Sequence, residues 1–207
     1  TNALAAIESL ISGEAITVLA TQERYSRYNL EDVVCTATAT ADGYILSGEK
    51  ILVPHGDTAN QFIVTARTEG QQRDAHGISL FLVPADAGDL ICRGYRTQDG
   101  QRAADLQLNN VHVDRDALLG PLHGATPLLE QARDEAIAAL AAESVGAMQA
   151  AFDLTIDYLK QREQFGGPIG RFQALQHRAA EMLVELEQAR SMAYLAAAVL
   201  EEPDLNE

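Results

Sequence analysis

Arg162, Gln164, Phe165 and Gln173 surround a Gly166-Gly167-Pro168 step in the stretch REQFGGPIGRFQALQH, residues 162–177. Arg carries a permanently charged fork of donors, Phe a flat packing surface, and Gln an amide that donates or accepts. A glycine-rich step lets backbone approach a phosphate closely, which a continuous helix would block. The set suits an anion attached to a flat ring. It also suits a plain corner between two helices, with the Arg paired to an acid and the Phe in the core.

Both flanks of the step read as long helices. Val145, Met148, Phe152, Ile156 and Leu159 recur at steps of three and four. Leu175, Ala179, Met182, Leu186, Ala189, Ala193, Ala196 and Leu200 continue those steps beyond it. Small Ala knobs on one stripe suit close packing within a bundle or between subunits. Pro203 marks the expected stop. Residues 2–11 look like the end of another helix, capped by Gly13.

From about residue 17 to 119 the period is that of strands. GYILSGEKILV alternates around Ser47-Gly48 and predicts a hairpin over 43–53. QFIVTAR (61–67) and GISLFLVP (77–84) are short β-branched runs bounded by polar, Gly or Pro residues. ADLQLNNVHV (104–113) alternates and breaks at Asn109-Asn110, which predicts a bulge or tight turn. Short, closely spaced strands without helices between them indicate an antiparallel barrel or sandwich. The expected class is α+β multidomain. Residues 1–16 would end an N-terminal helical domain, 17–119 form a β-domain, and 120–207 form an incomplete antiparallel helical bundle. A chain that begins on a helix end reads as cut from something larger.

Several function classes lose support. Residues 43–50 approach a P-loop, but Glu49 takes its Lys position and no helix follows. No G-x-G-x-x-G is present to hold a dinucleotide in the Rossmann manner. A formal net charge of −15 argues against nucleic acid or anionic lipid as partners. With 47% hydrophobic residues and no long apolar run, no membrane span is expected. Residues 1–10 lack the cationic start of a signal peptide, so a cytoplasmic location is expected. Cys35 and Cys92 read as two buried thiols. His55, His76, His112, His123 and His177 fall singly, so no metal site is expected.

The order is helix end, β-domain, then helices broken by R-x-x-F-G-x-P-I-x-x-x-Q. In that order the chain resembles the acyl-CoA dehydrogenase family of flavoenzymes. The resemblance runs through LISGEAITVLATQE (10–23), DGYILSGEKILVPHGDTANQFIVTAR (42–67), GISLFLVP (77–84), LNNVHVDRDALLG (108–120) and YLKQREQFGGPIGRFQALQHRAAEM (158–182). It implies a helical domain, a β-domain and a four-helix C-terminal domain, of which this chain covers the second and roughly half of the third. It also implies that Arg162, Phe165 and Gln173, with Gln164 beside them, contact an FAD held mainly by a neighbouring subunit.

Other segments depart from the family's wording. Its T-E-P-x-x-G-S-D loop brings a Thr to the flavin, whereas ATQERYSRYNL (20–30) keeps Thr21, Gln22 and Glu23 in mixed register and lacks the Ser-Asp pair. SRYNL is similar to the small subunit of two-subunit dehydrogenases of the pimeloyl-CoA type. There Arg27 would hold a negative charge on CoA or on a carboxylated acyl chain, or else be a surface Arg. The family's Trp-Ile-Thr becomes Leu52-Val53-Pro54. Backbone N–H groups of Leu52 and Val53 remain to serve the isoalloxazine, Pro54 having none; an ordinary strand end is the other reading.

The family's reaction couples α-proton abstraction by a carboxylate to β-hydride transfer to flavin N5, giving a trans-2-enoyl-CoA. Most members place that Glu beyond position 207. A minority place it on the helix before the break, where Glu135 is the candidate; first-turn acids favouring the helix dipole also explain it. The resemblance further implies an acyl-CoA substrate, an electron-transfer flavoprotein as electron acceptor, and a homo- or hetero-oligomer, with a tetramer expected. The alternative is a non-catalytic partner subunit that completes another chain's FAD site.

Overall fold

A computed structural model describes residues 2–202 as two compact units that divide between Glu130 and Gln131. The first unit opens with α1 (Asn2–Ser12), which Gly13 ends in the left-handed conformation at φ 74°. The strands follow: β1 (Thr17–Ala20), β2 (Thr36–Ala39), β3 (Gly43–Pro54), β4 (Gln61–Arg67), β5 (Ile78–Pro84), β6 (Leu90–Arg96), β7 (Arg102–Asp114) and β8 (Leu118–Leu119). They form one sheet in the order β6-β7-β3-β2-β4-β5-β8, with β1 beside β4. A sheet followed by helices was expected. However, β1 and β2 both pair with β4 in parallel, so the sheet is mixed rather than wholly antiparallel. Its end strands, β6 and β8, are not paired with each other, so no closed barrel forms.

Alternation places Leu46, Phe62, Val64, Phe81, Val83, Leu106 and Val111 in a common core. The hairpin expected over 43–53 is absent. β3 runs unbroken for 12 residues, and the chain turns earlier, where the Thr40 N–H donates to the Gly43 carbonyl at 2.9 Å. Gly48 serves packing rather than a turn: a Cβ there would lie 2.7 Å from the Cα of Cys35. The break at Asn109-Asn110 is a bulge, with Asn110 at φ 62° and the β3–β7 register shifting opposite it. Cys35 is buried as expected, and burial pushes its thiol up to about 11. Cys92 is exposed instead, because it lies on β6 at the sheet edge.

The first turn of α2 (Thr126–Gln161) belongs to the first unit; in the second, α2 leads to the short strands β9 (Glu163–Gln164) and β10 (Gly167–Pro168), then to α3 (Gln173–Glu201). Pro203, the expected stop, lies outside the described residues. The predicted stripes are the half-buried ones, and Leu186 is the most enclosed. Leu200 departs from its stripe by being exposed. Arg190 donates to Gln149 Oε1 at 2.6 Å and ties α3 to α2. Contrary to the sequence expectation, α2 is by length and composition long and apolar enough to cross a bilayer. Much of that apolarity is alanine; Val145, Met148, Phe152, Ile156 and Leu159 are partly covered within the unit, whereas Ile137, Leu140 and Leu154 are exposed.

Candidate functional site

The Gly-Gly-Pro step is neither an open loop nor a plain helix corner. β9 and β10 pair antiparallel, Gln164 opposite Gly167, and leave Phe165 and Gly166 as a two-residue turn. Both have positive φ, 53° and 83°, as a type I′ turn requires. Gly accepts that region freely; an aromatic residue does not, so Phe165 stores local strain of about 1–3 kcal/mol. The Ile169 N–H donates to the Arg162 carbonyl at 2.8 Å and closes the base of the hairpin. Gly170 lets the step pass α2, since a Cβ there would stand 2.9 Å from the Leu159 carbonyl oxygen.

This frame presents polar groups that the chain itself does not use. Among the described residues, the side chains of Arg162, Gln164 and Gln173 have no hydrogen-bond or ion-pair partner. Phe165 is 85% exposed, with its ring edge-on to Phe172 at 6.0 Å. The plain-corner alternative required a paired Arg and a core Phe, and neither is found. A free guanidinium, an exposed ring and two free amides on a hydrogen-bonded two-strand turn fit a flat ring carrying phosphates. The donor set therefore suits the ADP half of FAD.

In the first unit the structure brings Thr21 and Gln22 beside the end of β3. The Gln22 carbonyl accepts from the Ile51 N–H at 2.8 Å. Beneath them lies a pair that sequence reasoning missed. Lys50, fully buried, donates to Glu23 Oε1 at 2.7 Å and to Thr65 Oγ1 at 2.8 Å. The Glu23 carboxylate also accepts the N–H groups of Val34 and Cys35 at 2.8 and 3.0 Å. This network pins the 21–26 segment to β3. Strict alternation from Leu46 and Gly48 would have marked Lys50 as facing inward.

Leu52 and Pro54 point outward and Val53 inward, into the core. Leu52 sits at φ 53°, and its N–H donates to Asp105 Oδ1 at 3.0 Å. The expectation that this N–H is left for a flavin fails for that reason: Asp105, which also accepts from the Tyr95 hydroxyl at 2.8 Å, already takes it. The face left at this end of β3 is apolar, made of Leu52 and Pro54. Arg27 is exposed at φ 50° without a partner among the described residues, in a loop whose Tyr25 and Tyr28 also stand in solvent. Glu135 is exposed on α2 and accepts from Gln131 at 2.9 Å. That is ordinary helix-surface geometry.

Comparisons with known proteins agree with this layout. The family description "Acyl-CoA dehydrogenase, middle domain" matches residues 19–114, and "Acyl-CoA dehydrogenase, C-terminal domain" matches residues 128–206. A mitochondrial 2-methylacyl-CoA dehydrogenase of Solanum tuberosum is 34% identical over 92% of this chain and 47% of its own length. The chain thus spans about half the length of the curated relatives it matches. Among solved structures, butyryl-CoA dehydrogenase from Megasphaera elsdenii superposes with a TM-score of 0.86 at 26% identity, covering 94% of this chain and 52% of that one. An FAD complex of PigA superposes at 0.88 with 26% identity over 97% of this chain and 52% of that one.

Proposed function

Because this chain belongs to the acyl-CoA dehydrogenase family, carrying its middle domain and C-terminal-domain sequence, we propose that it forms part of an FAD-dependent acyl-CoA dehydrogenase. Bound FAD supplies a hydride acceptor at N5 for the α,β-dehydrogenation of an acyl-CoA thioester to the trans-2-enoyl-CoA. The chain's own residues bind and orient. Arg162 meets the pyrophosphate charge of an FAD held mainly by a neighbouring subunit. Phe165 packs on its adenine, and the Gln164 and Gln173 amides meet its remaining polar atoms. Leu52 and Pro54 form an apolar wall that keeps water from an isoalloxazine, and Thr21 and Gln22, next to Ile51, offer it polar groups. Arg27 takes a negative charge on CoA or on a carboxylated acyl chain. The α-proton goes to an enclosed carboxylate, a role that the surface geometry of Glu135 does not suit. Electrons leave through an electron-transfer flavoprotein, and the protein works as an oligomer.

One observation carries this reading: among the described residues Arg162 stands unpartnered near a strained, solvent-exposed Phe165 on a hairpin that the chain's own hydrogen bonds close. Arg162→Ala should reduce the flavin content of the purified protein about tenfold or more, since a charge-assisted contact is lost, while helix content by circular dichroism stays the same. Unchanged flavin content would sink the reading. A second reading, a non-catalytic partner subunit that completes another chain's FAD site, is favoured by the end of β3, where Pro54 has no N–H and Asp105 occupies that of Leu52. An absorption spectrum separates the two. Yellow protein bleached anaerobically by an acyl-CoA supports the enzyme; colourless protein that gains flavin only with a second subunit supports the partner.

A further inference from the structure

Arg171 occupies an unspecified position of the R-x-x-F-G-x-P-I-x-x-x-Q pattern, yet it is the side chain that holds the hairpin turn. Its Nη2 donates to the Phe165 carbonyl at 2.6 Å and its Nη1 to the Gly166 carbonyl at 3.2 Å. Its Cζ stands 5.3 Å from the centroid of Phe172, whose ring meets Phe165 edge-on. One guanidinium therefore holds both residues of the turn and the aromatic neighbour of the exposed ring. Gly167 is part of the same device, because a Cβ there would lie 2.9 Å from Arg171 Nη1.

The turn needs such a device. Phe165 sits where an aromatic side chain is disfavoured, so without a lock the turn relaxes and the ring loses its fixed direction. Two bare carbonyl oxygens next to an incoming pyrophosphate also repel it; a guanidinium bonded to both offsets that charge. We infer that Arg171 is a positioning residue that pre-organises Phe165 for the adenine-bearing half of the dinucleotide, an inference that rests on the FAD reading above. Its contribution comes from ordering the turn before binding, which lowers the entropy lost on association.

The test compares FAD with FMN, which lacks the adenosine half, as probes of the intact purified protein stripped of flavin. Arg171→Ala should weaken FAD binding about tenfold and leave FMN binding within about twofold, with unchanged helix content. Arg171→Lys, able to reach one carbonyl as a point charge, should restore part of the loss. Gly167→Ala should mimic Arg171→Ala, and the double variant should be no weaker than either single one, because both act through the same contact. If Arg162→Ala weakens FAD binding and Arg171→Ala does not, the inference is overturned and the FAD reading stands. If neither does, both fall. Equal weakening of FAD and FMN by Arg171→Ala assigns it a general structural role and overturns the inference too.

Discussion

Lys50 and Arg162 are both cations on a chain of net charge −15, and the two units treat them in opposite ways. Lys50 is fully buried and spends its ammonium on Glu23 and Thr65. Arg162 is exposed and bonds to no described side chain. The same contrast recurs in backbone. Leu52 and Phe165 both sit near φ 53°, but Leu52 is held through its N–H by Asp105 beside the sheet, whereas Phe165 is held through its carbonyl while its ring stays in solvent. In the sheet, polar groups and strain are satisfied by the fold itself. At the hairpin the frame is satisfied by its own backbone and Arg171, and its outward groups are left over.

The largest effect expected from this contrast is at Lys50. Lys50→Met leaves the Glu23 carboxylate buried without its cation and should cost about 3–5 kcal/mol in urea unfolding. Adding Glu23→Gln should recover part of that loss. A cost below about 1 kcal/mol would erase the distinction between the two cations. Gly170→Ala should come next, at about 1–3 kcal/mol, because the new Cβ meets backbone rather than a flexible side chain. A lowered thermal midpoint with retained helicity would show it.

Phe165→Gly sharpens the contrast in the other direction. Relief of the positive φ should leave stability within about 1 kcal/mol of the unsubstituted protein while flavin content falls. A core residue such as Leu46 cut to Ala should instead cost about 2–5 kcal/mol. The smallest effect expected is at Asp32. The Gln72 amide hydrogen bond, more than Arg73, holds its carboxyl below the ordinary value. Its contribution is therefore present above the unfolded carboxylate range and lost as pH falls toward the folded value. Asp32→Asn should flatten the acid limb of a stability-against-pH profile and leave the alkaline limb unchanged.

Much of this was legible in the residues. The change from alternating to three-and-four periodicity separated sheet from helices, and Arg162, Phe165 and Gln173 stood out by type and spacing. Ser47-Gly48 misled because a glycine in an alternating run marks a turn or a close approach equally well; only the position of Cys35 decides which. Lys50 was passed over because a lysine reads as surface until its partner is known. Arg171 was passed over because its role depends on carbonyl groups, which carry no sequence signal.

The amino-acid order alone separated a strand-period region from a helical one and showed where the chemistry-bearing residues fall along the chain. It could do so because periodicity and turn chemistry act between neighbours. The tertiary structure decided which charges are buried and which are left free, that the glycine step is a type I′ hairpin, and that Asp105 takes the Leu52 N–H. Those outcomes depend on which distant groups meet in space, as Glu23 meets Lys50 across 27 positions of chain.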